Sequence, residues 1–290
     1  MTRNCISFII PAYNCEKTVT EAVDSIFNGN FSSGDEVVIV DDASTDKTLT
    51  TLRKLQLKYK HIKVVKHSFN KGGGATRNTA IENSNNDLIF CLDSDNILVP
   101  RSILILKKFH IKKNSEITSF QKIQYFERNI TNKKHSWEYK HSIYNSDNYL
   151  MDCIVPGASG NYLFTKKSWY LAGKYPENVK ALDAWGFGLS QVMSGSNMVV
   201  MPNSFYYHRI GLVSYWQRSL KDDNPSILAL SLVLRYYSRL NKSDLNRIMS
   251  QQYRLKWFDM LGTKIMIRGQ VHQAHLKSGI ISNIIEKIWQ

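Results

Sequence analysis

Residues 88–96 read Leu88-Ile89-Phe90-Cys91-Leu92-Asp93-Ser94-Asp95-Asn96, five apolar residues running out into two carboxylates one residue apart. A short apolar run without alternation is the pattern of a strand buried on both faces. Side chains two apart along a strand project the same way, so Asp93 and Asp95 leave the strand end toward one side. Outward from this stretch lie three more β-branched runs, residues 5–10, 37–40 and 62–65, with helix-patterned segments between them. That β-α-β-α rhythm predicts an α/β fold with a mostly parallel central sheet flanked by helices. In such sheets ligands bind at the carboxyl ends of the strands.

Ser44-Thr45-Asp46 and Pro100 are start signals for helices over residues 47–59 and 101–113. A strand is expected over residues 117–126, and residues 127–150 carry no assignable pattern. Past Pro202 the pattern turns helical, with candidates over 225–240, 243–267 and 278–289. The expected organisation is one domain to residue 202 and a helical C-terminal extension over 203–290.

At 290 residues the chain can bury a substantial core. Its four cysteines, Cys5, Cys15, Cys91 and Cys153, form no C-x-x-C pair, which fits a reducing cytoplasmic setting. The apolar stretch after Met1 is too short for a secretory signal, and no run reaches the roughly 20 residues of a spanning helix. The formal charge is +14, from 38 Lys plus Arg against 24 Asp plus Glu, and favours anionic partners. Residues 203–290 hold 13 of the basic and 5 of the acidic residues. With their aromatics they suggest either packing on the domain or peripheral contact with an anionic membrane surface; nucleic acid is not expected.

The other strand ends carry chemistry too. Asp41-Asp42 follows the second strand, where a carboxylate can accept a base N–H or ribose hydroxyls; Asp41 is the better ligand candidate, and Asp46 or Ser44 the helix cap. The first strand ends in Pro11-Ala12-Tyr13-Asn14, with a ring on which a planar base could stack. Between the second and fourth strands lies Asn70-Lys71-Gly72-Gly73-Gly74-Ala75-Thr76-Arg77-Asn78, a Gly-rich turn entering a helix whose N–H groups suit an anion. It lacks G-K-[ST] and G-x-G-x-x-G, so ATPase and NAD readings lose support; Arg77 is the expected nucleotide contact. Oxygen ligands such as Asp93-x-Asp95 suit Mg²⁺ or Mn²⁺ shared with substrate phosphates.

These four motifs, in this order, resemble glycosyltransferase family 2. The resemblance implies a GT-A fold with a Rossmann-like nucleotide-sugar half over about residues 1–100 and an acceptor side over about 101–202. It implies donor contacts at Pro11, Tyr13, Asp41, Arg77, Asp93 and Ser94, and a metal, Mn²⁺ or Mg²⁺, at Asp95. Gly173-Lys174-Tyr175-Pro176-Glu177 and Leu182-Asp183-Ala184-Trp185-Gly186 look like the acceptor-side segment, making Asp183 the expected general base, with Glu177 as fallback and Trp185 beside it. The family more often has Glu-Asp where this chain has Leu182-Asp183. His208 resembles a late histidine that completes the metal shell or touches the diphosphate; Trp216 and Arg218 follow it without a role. Gly157 and Ser159, in residues 156–161, are expected to border the acceptor pocket. His272 and His275 lack a third ligand and are read as surface residues.

The implied reaction is inverting transfer of a sugar from a nucleoside-diphosphate donor, UDP by default, to a glycan or lipid-linked hydroxyl at the inner face of a membrane. A sugar-1-phosphate nucleotidyltransferase would show an N-terminal Gly-rich loop with a basic residue, where this chain has Pro11-Ala12-Tyr13-Asn14. A non-catalytic relative binding nucleotide sugar or an anionic surface would not need Asp41, Asp93, Asp95 and Asp183 in one crevice.

Overall fold

The computed structural model describes residues 4–152 and 154–210, together with 229, 231–233, 235–239, 264–267 and 270–273. The first half follows the expected rhythm: β1 (Ile6–Ala12), α1 (Val19–Phe27), β2 (Glu36–Asp41), α2 (Thr48–Lys58), β3 (Ile62–Lys66), α3 (Gly73–Glu82) and β4 (Leu88–Cys91). Its strands are parallel in the order β3-β2-β1-β4. Helices cover both faces, which is why β4 and nearly all of β1 and β2 are buried and read as continuous apolar runs. α1 buries Val19, Ala22, Val23 and Ile26, the spacing of one helix face.

Beyond β4 the chain adds α4 (Ser102–Lys113), β5 (Ile117–Phe126), β6 (Lys133–Glu138), β7 (Ile143–Tyr144), α5 (Pro156–Ser159), β8 (Leu163–Thr165), α6 (Lys166–Leu171), α7 (Asp183–Met193) and β9 (Met198–Arg209). β8 sits antiparallel between β4 and β5, β9 runs parallel to β5, and β7 closes the edge. The sheet is therefore parallel through its first half and mixed beyond it, nine strands in all. β6, six exposed residues, pairs with the second half of β5.

β9 passes through Pro202, where the sequence suggested a domain boundary, and the sheet continues to Arg209. The Pro202-Asn203 interruption is a bulge: the β5–β9 register shifts between Phe120 and Lys122, and Asn203 takes a φ of 55°. Within the stretch expected to form a helical C-terminal extension, Ala229, Leu232 and Val233 are buried. Gly186 of α7 leaves room for Leu232, since a Cβ there would stand 2.8 Å from Leu232 Cδ1. Lys264–Ile267 (β10) pairs antiparallel with Gln270–Gln273 (β11), so the last residues of the helix expected over 243–267 are strand. The helix over 278–289, Cys153, Trp216, Arg218, His275 and the His272 side chain lie outside the described residues. No helix among the described residues is long and apolar enough to cross a membrane.

Candidate active site

The order β2-β1-β4 sets three strand ends side by side. Ala12 pairs with Asp41, and the Leu92 N–H bonds to the Ile9 carbonyl, bringing Tyr13, Asp41 and Asp93 to one edge. Asp41 is fully buried. Its Oδ1 accepts the Ser44 N–H at 3.4 Å, while Oδ2 has no hydrogen-bond partner among the described residues. A buried carboxylate oxygen left unpaired is costly to the free protein and stands ready for a ligand's N–H or O–H. Tyr13, 41% exposed, presents its ring at the rim.

Its neighbour Asp42 has a different task. Its carboxylate takes the N–H groups of Lys71 at 2.8 Å and Gly72 at 2.9 Å, so it holds the Gly-rich turn ahead of α3. Gly72 adopts a φ of 88°, open to a residue without a side chain. Lys47, not Asp46 or Ser44, stands at the N-cap of α2; Asp46 accepts the Thr48 N–H at 2.9 Å from one residue earlier, and Ser44 Oγ accepts the Asn14 N–H.

Arg77, on α3, is buried and its fork is divided: Nη1 donates to Asp183 Oδ2 at 2.5 Å and Nη2 to Asp93 Oδ1 at 2.7 Å. Asp183 is the first residue of α7 and also accepts the Ala184 N–H on Oδ1 at 2.8 Å. Burial pushes its carboxyl up, with the Arg77 charge pulling the other way. Asp93 is held by Asn161, which accepts its N–H and donates to its Oδ2, both at 2.9 Å. Asn161, and Asn78 with its bonds to the Tyr175 carbonyl and N–H, pin the second half of the chain to the first. Neither was singled out by sequence, because their partners lie about 70 to 100 residues away.

Asp95 is half-buried, and burial together with the Asp93 charge pushes its carboxyl up to about 7. His208, near the end of β9, places Nδ1 3.3 Å from the Asn96 amide nitrogen. The Asn96 oxygen accepts the Arg209 N–H at 3.1 Å, which fixes that amide's orientation. Asn96 thus donates to Nδ1, and the imidazole proton resides on Nε2. Burial pulls the His208 pKa down, so the ring is a neutral donor. Ser94 is half-buried between the two aspartates, and Pro11 lies within β1 opposite Val40.

The acceptor-side candidates separate. Trp185 is buried in α7, with its carbonyl accepting from Tyr149. Gly157 packs α5 on α7: a Cβ there would stand 2.9 Å from Gly188 Cα. Ser159 is buried and bonds its own Pro156 carbonyl. Glu177 is exposed and accepts from Asn78 at 2.9 Å. Two cavities of about 470 and 850 Å³ lie along α4 and the β7–β9 edge, lined by none of these residues. Among the described residues no group of three His, Cys, Asp or Glu side chains is arranged to hold a metal.

Similar proteins bear on this geometry. The chain is 28% identical over 209 residues to a poly(ribitol-phosphate) beta-glucosyltransferase of Bacillus spizizenii, covering 71% of this chain and 32% of that protein. It is 26% identical over 252 residues to a chondroitin synthase of Escherichia coli, covering 86% and 34%. The chain thus spans about a third of the length of these relatives. In fold it matches Staphylococcus aureus TarS 1–349 in complex with UDP-GlcNAc, with a TM-score of 0.71 at 19% identity over 91% of this chain and 76% of that one. It also matches a mannosyltransferase of Pyrobaculum calidifontis in complex with GDP-Man and Mn²⁺, with a TM-score of 0.61 at 16% identity over 90% and 73%. These likenesses show that the chain has a GT-A-like fold. Residues 7–170, more than half of the sequence, match Glycosyl transferase family 2, and the chain belongs to that family.

Proposed function

We propose that this chain is the catalytic part of an inverting glycosyltransferase that moves one sugar from a nucleoside-diphosphate donor, UDP-linked by default, to a hydroxyl of a glycan or lipid-linked acceptor. The observation that supports it is the placing of Asp41 and Asp93 at neighbouring strand ends, with Asp183 tied to Asp93 through Arg77 and Asp41 Oδ2 buried without a hydrogen-bond partner among the described residues. In this reading Asp41 Oδ2 accepts a base N–H and Tyr13 stacks on the base. Asp183 takes the proton of the acceptor hydroxyl as that oxygen attacks the anomeric carbon. The bond to the diphosphate breaks on the opposite face, and the leaving group takes the electron pair. Glu177, held on the surface by Asn78, is the weaker base.

A divalent cation suits the donor set: two carboxylates crowd one strand end, where burial and then the Asp93 charge raise the Asp95 pKa. Asp95 would hold Mn²⁺ or Mg²⁺ with the donor phosphates, supplying positive charge to the departing diphosphate. His208, with its proton on Nε2, is better fitted to donate to a phosphate oxygen than to bind metal.

Two features bear on the acceptor and the setting. The relative from B. spizizenii is named for poly(ribitol-phosphate), and a net charge of +14 suits an acceptor that is itself anionic. Free, buried Cys5, Cys15 and Cys91 fit work in a reducing cytoplasm. Packing of Leu232 against Gly186 of α7 supports an extension that rests on the domain.

The test is a thermal-shift screen of UDP, GDP, CDP and dTDP with and without Mn²⁺, followed by incubation with the matching nucleotide sugars. One nucleotide should raise the melting temperature in a metal-dependent way. Its sugar conjugate should then be hydrolysed or transferred by the wild type and not by Asp183→Asn. No shift with any nucleotide would overturn the reading.

A further inference from the structure

The guanidinium of Arg77 joins two carboxylates from distant parts of the fold, Asp93 after β4 and Asp183 at the start of α7. Every contact around it restricts movement. The Tyr175 ring lies 5.7 Å from the guanidinium carbon, and Nε is buried with no hydrogen-bond partner among the described residues. Asn161 grips Asp93, and the Ala184 N–H fixes the second oxygen of Asp183. Space for the arrangement comes from Gly73: a Cβ there would stand 2.5 Å from Asp183 Oδ2 and 2.9 Å from Arg77 Nη1. The fork is planar, so it sets the spacing of its two acceptors in a way a lysine cannot. A carboxylate offers about four lone-pair sites, so Asp183 retains capacity for an acceptor hydroxyl while Arg77 and Ala184 occupy two.

We propose that Arg77 is a positioning residue rather than a nucleotide ligand: its fork fixes the spacing of Asp93 and Asp183 and orients the Asp183 carboxylate toward the acceptor hydroxyl. The inference rests on the reading of Asp183 as the base. It departs from the expectation that Arg77 contacts nucleotide.

The experiment compares wild type, Arg77→Lys and Gly73→Ala for kcat and donor KM with the nucleotide sugar selected above, and for UDP affinity by calorimetry. A base displaced by about 1 Å costs on the order of 100-fold in rate. Arg77→Lys should therefore lose about 100-fold in kcat while donor KM and UDP affinity stay within about threefold. Gly73→Ala, which keeps both charged residues and displaces them, should change the same parameter in the same direction. Adding Arg77→Lys to Asp183→Asn should slow the residual rate by less than about threefold, as for residues acting as one unit.

A roughly tenfold loss of UDP affinity with kcat retained would overturn the proposal and make Arg77 a nucleotide ligand. So would a full multiplicative loss in the Asp183→Asn background. If Arg77→Lys does not melt cooperatively, Gly73→Ala decides, and an unchanged kcat there overturns the proposal. A wild type that turns over no nucleotide sugar would defeat the transferase reading and this inference with it. An active wild type with discordant variants would defeat only the inference.

Discussion

His67 Nδ1 lies 2.7 Å from Asp42 Oδ1, both side chains buried, and His67 Nε2 reaches Thr79 Oγ1 of α3 at 3.0 Å. Asp42 therefore holds the Gly-rich turn through two backbone N–H groups and the helix behind it through His67. Asp42→Ala strips all three contacts and leaves the buried His67 ring without its carboxylate partner. It should cost about 3 kcal/mol of stability, read as a lower urea midpoint with unchanged slope. A loss below about 0.5 kcal/mol, the range of ordinary surface changes, would show that the turn is held by other means.

Asp41 presents the opposite case, a buried carboxylate with one oxygen unsatisfied. Such a group is kept at a cost to the free fold and repaid by a ligand. Asp41→Asn should leave the melting temperature of the free protein unchanged or higher, while weakening UDP about tenfold through loss of one charge-assisted acceptor. Calorimetric titration of UDP beside a melt of the free variant checks both halves. Equal UDP affinity would remove Asp41 from base recognition.

The two adjacent aspartates show how far the sequence alone could be read. Asp41 and Asp93 announce themselves because each ends an apolar run, and a strand covered on both faces can have no other pattern. The pins are silent, since Asn161, Asn78 and His67 are polar residues whose meaning comes from distant partners. α7 shows no helical period because all eleven of its residues are buried, so no polar face marks it. β6 reads Lys-Lys-His-Ser-Trp-Glu, exposed throughout, and exists as a strand because β5 offers it an edge. Pro202, a breaker in the sequence, sits in a bulge that the longer β5–β9 ladder absorbs. Gly157, read as part of a loop bordering the acceptor, proves to be the close contact between two helices.

His110, at the end of α4, is buried with Nδ1 2.8 Å from Thr118 Oγ1, and burial pulls its pKa down to about 4. In the unfolded chain the ring takes up its proton near pH 6.5, while the folded protein keeps it neutral until about pH 4. Its contribution is therefore fully present above about pH 6.5 and is lost as pH falls toward 4, by at most about 3 kcal/mol. His110→Asn offers an amide oxygen to Thr118 without the titration. Its urea stability should fall less steeply than that of the wild type between pH 6.5 and 4; parallel curves would exclude His110 as the source.

Asp95 carries the metal prediction. Its carboxyl is pushed up by burial and by Asp93, so the free protein holds a repulsion that a cation would relieve. Asp95→Asn removes one of the two like charges. The free variant should therefore melt no lower than the wild type, and a structural role for Asp95 would predict the reverse. In the wild type a nucleotide at about 100 times its Kd adds roughly 2.7 kcal/mol, a rise of several degrees, and Mn²⁺ should enlarge it. In Asp95→Asn the Mn²⁺-dependent part should disappear, and turnover should fall to the level the wild type shows in EDTA. A variant that keeps its Mn²⁺ response would move the cation to other residues, whereas a wild type indifferent to EDTA would leave Asp95 as a counter-charge to Arg209 and Arg77, the two cations already acting on it.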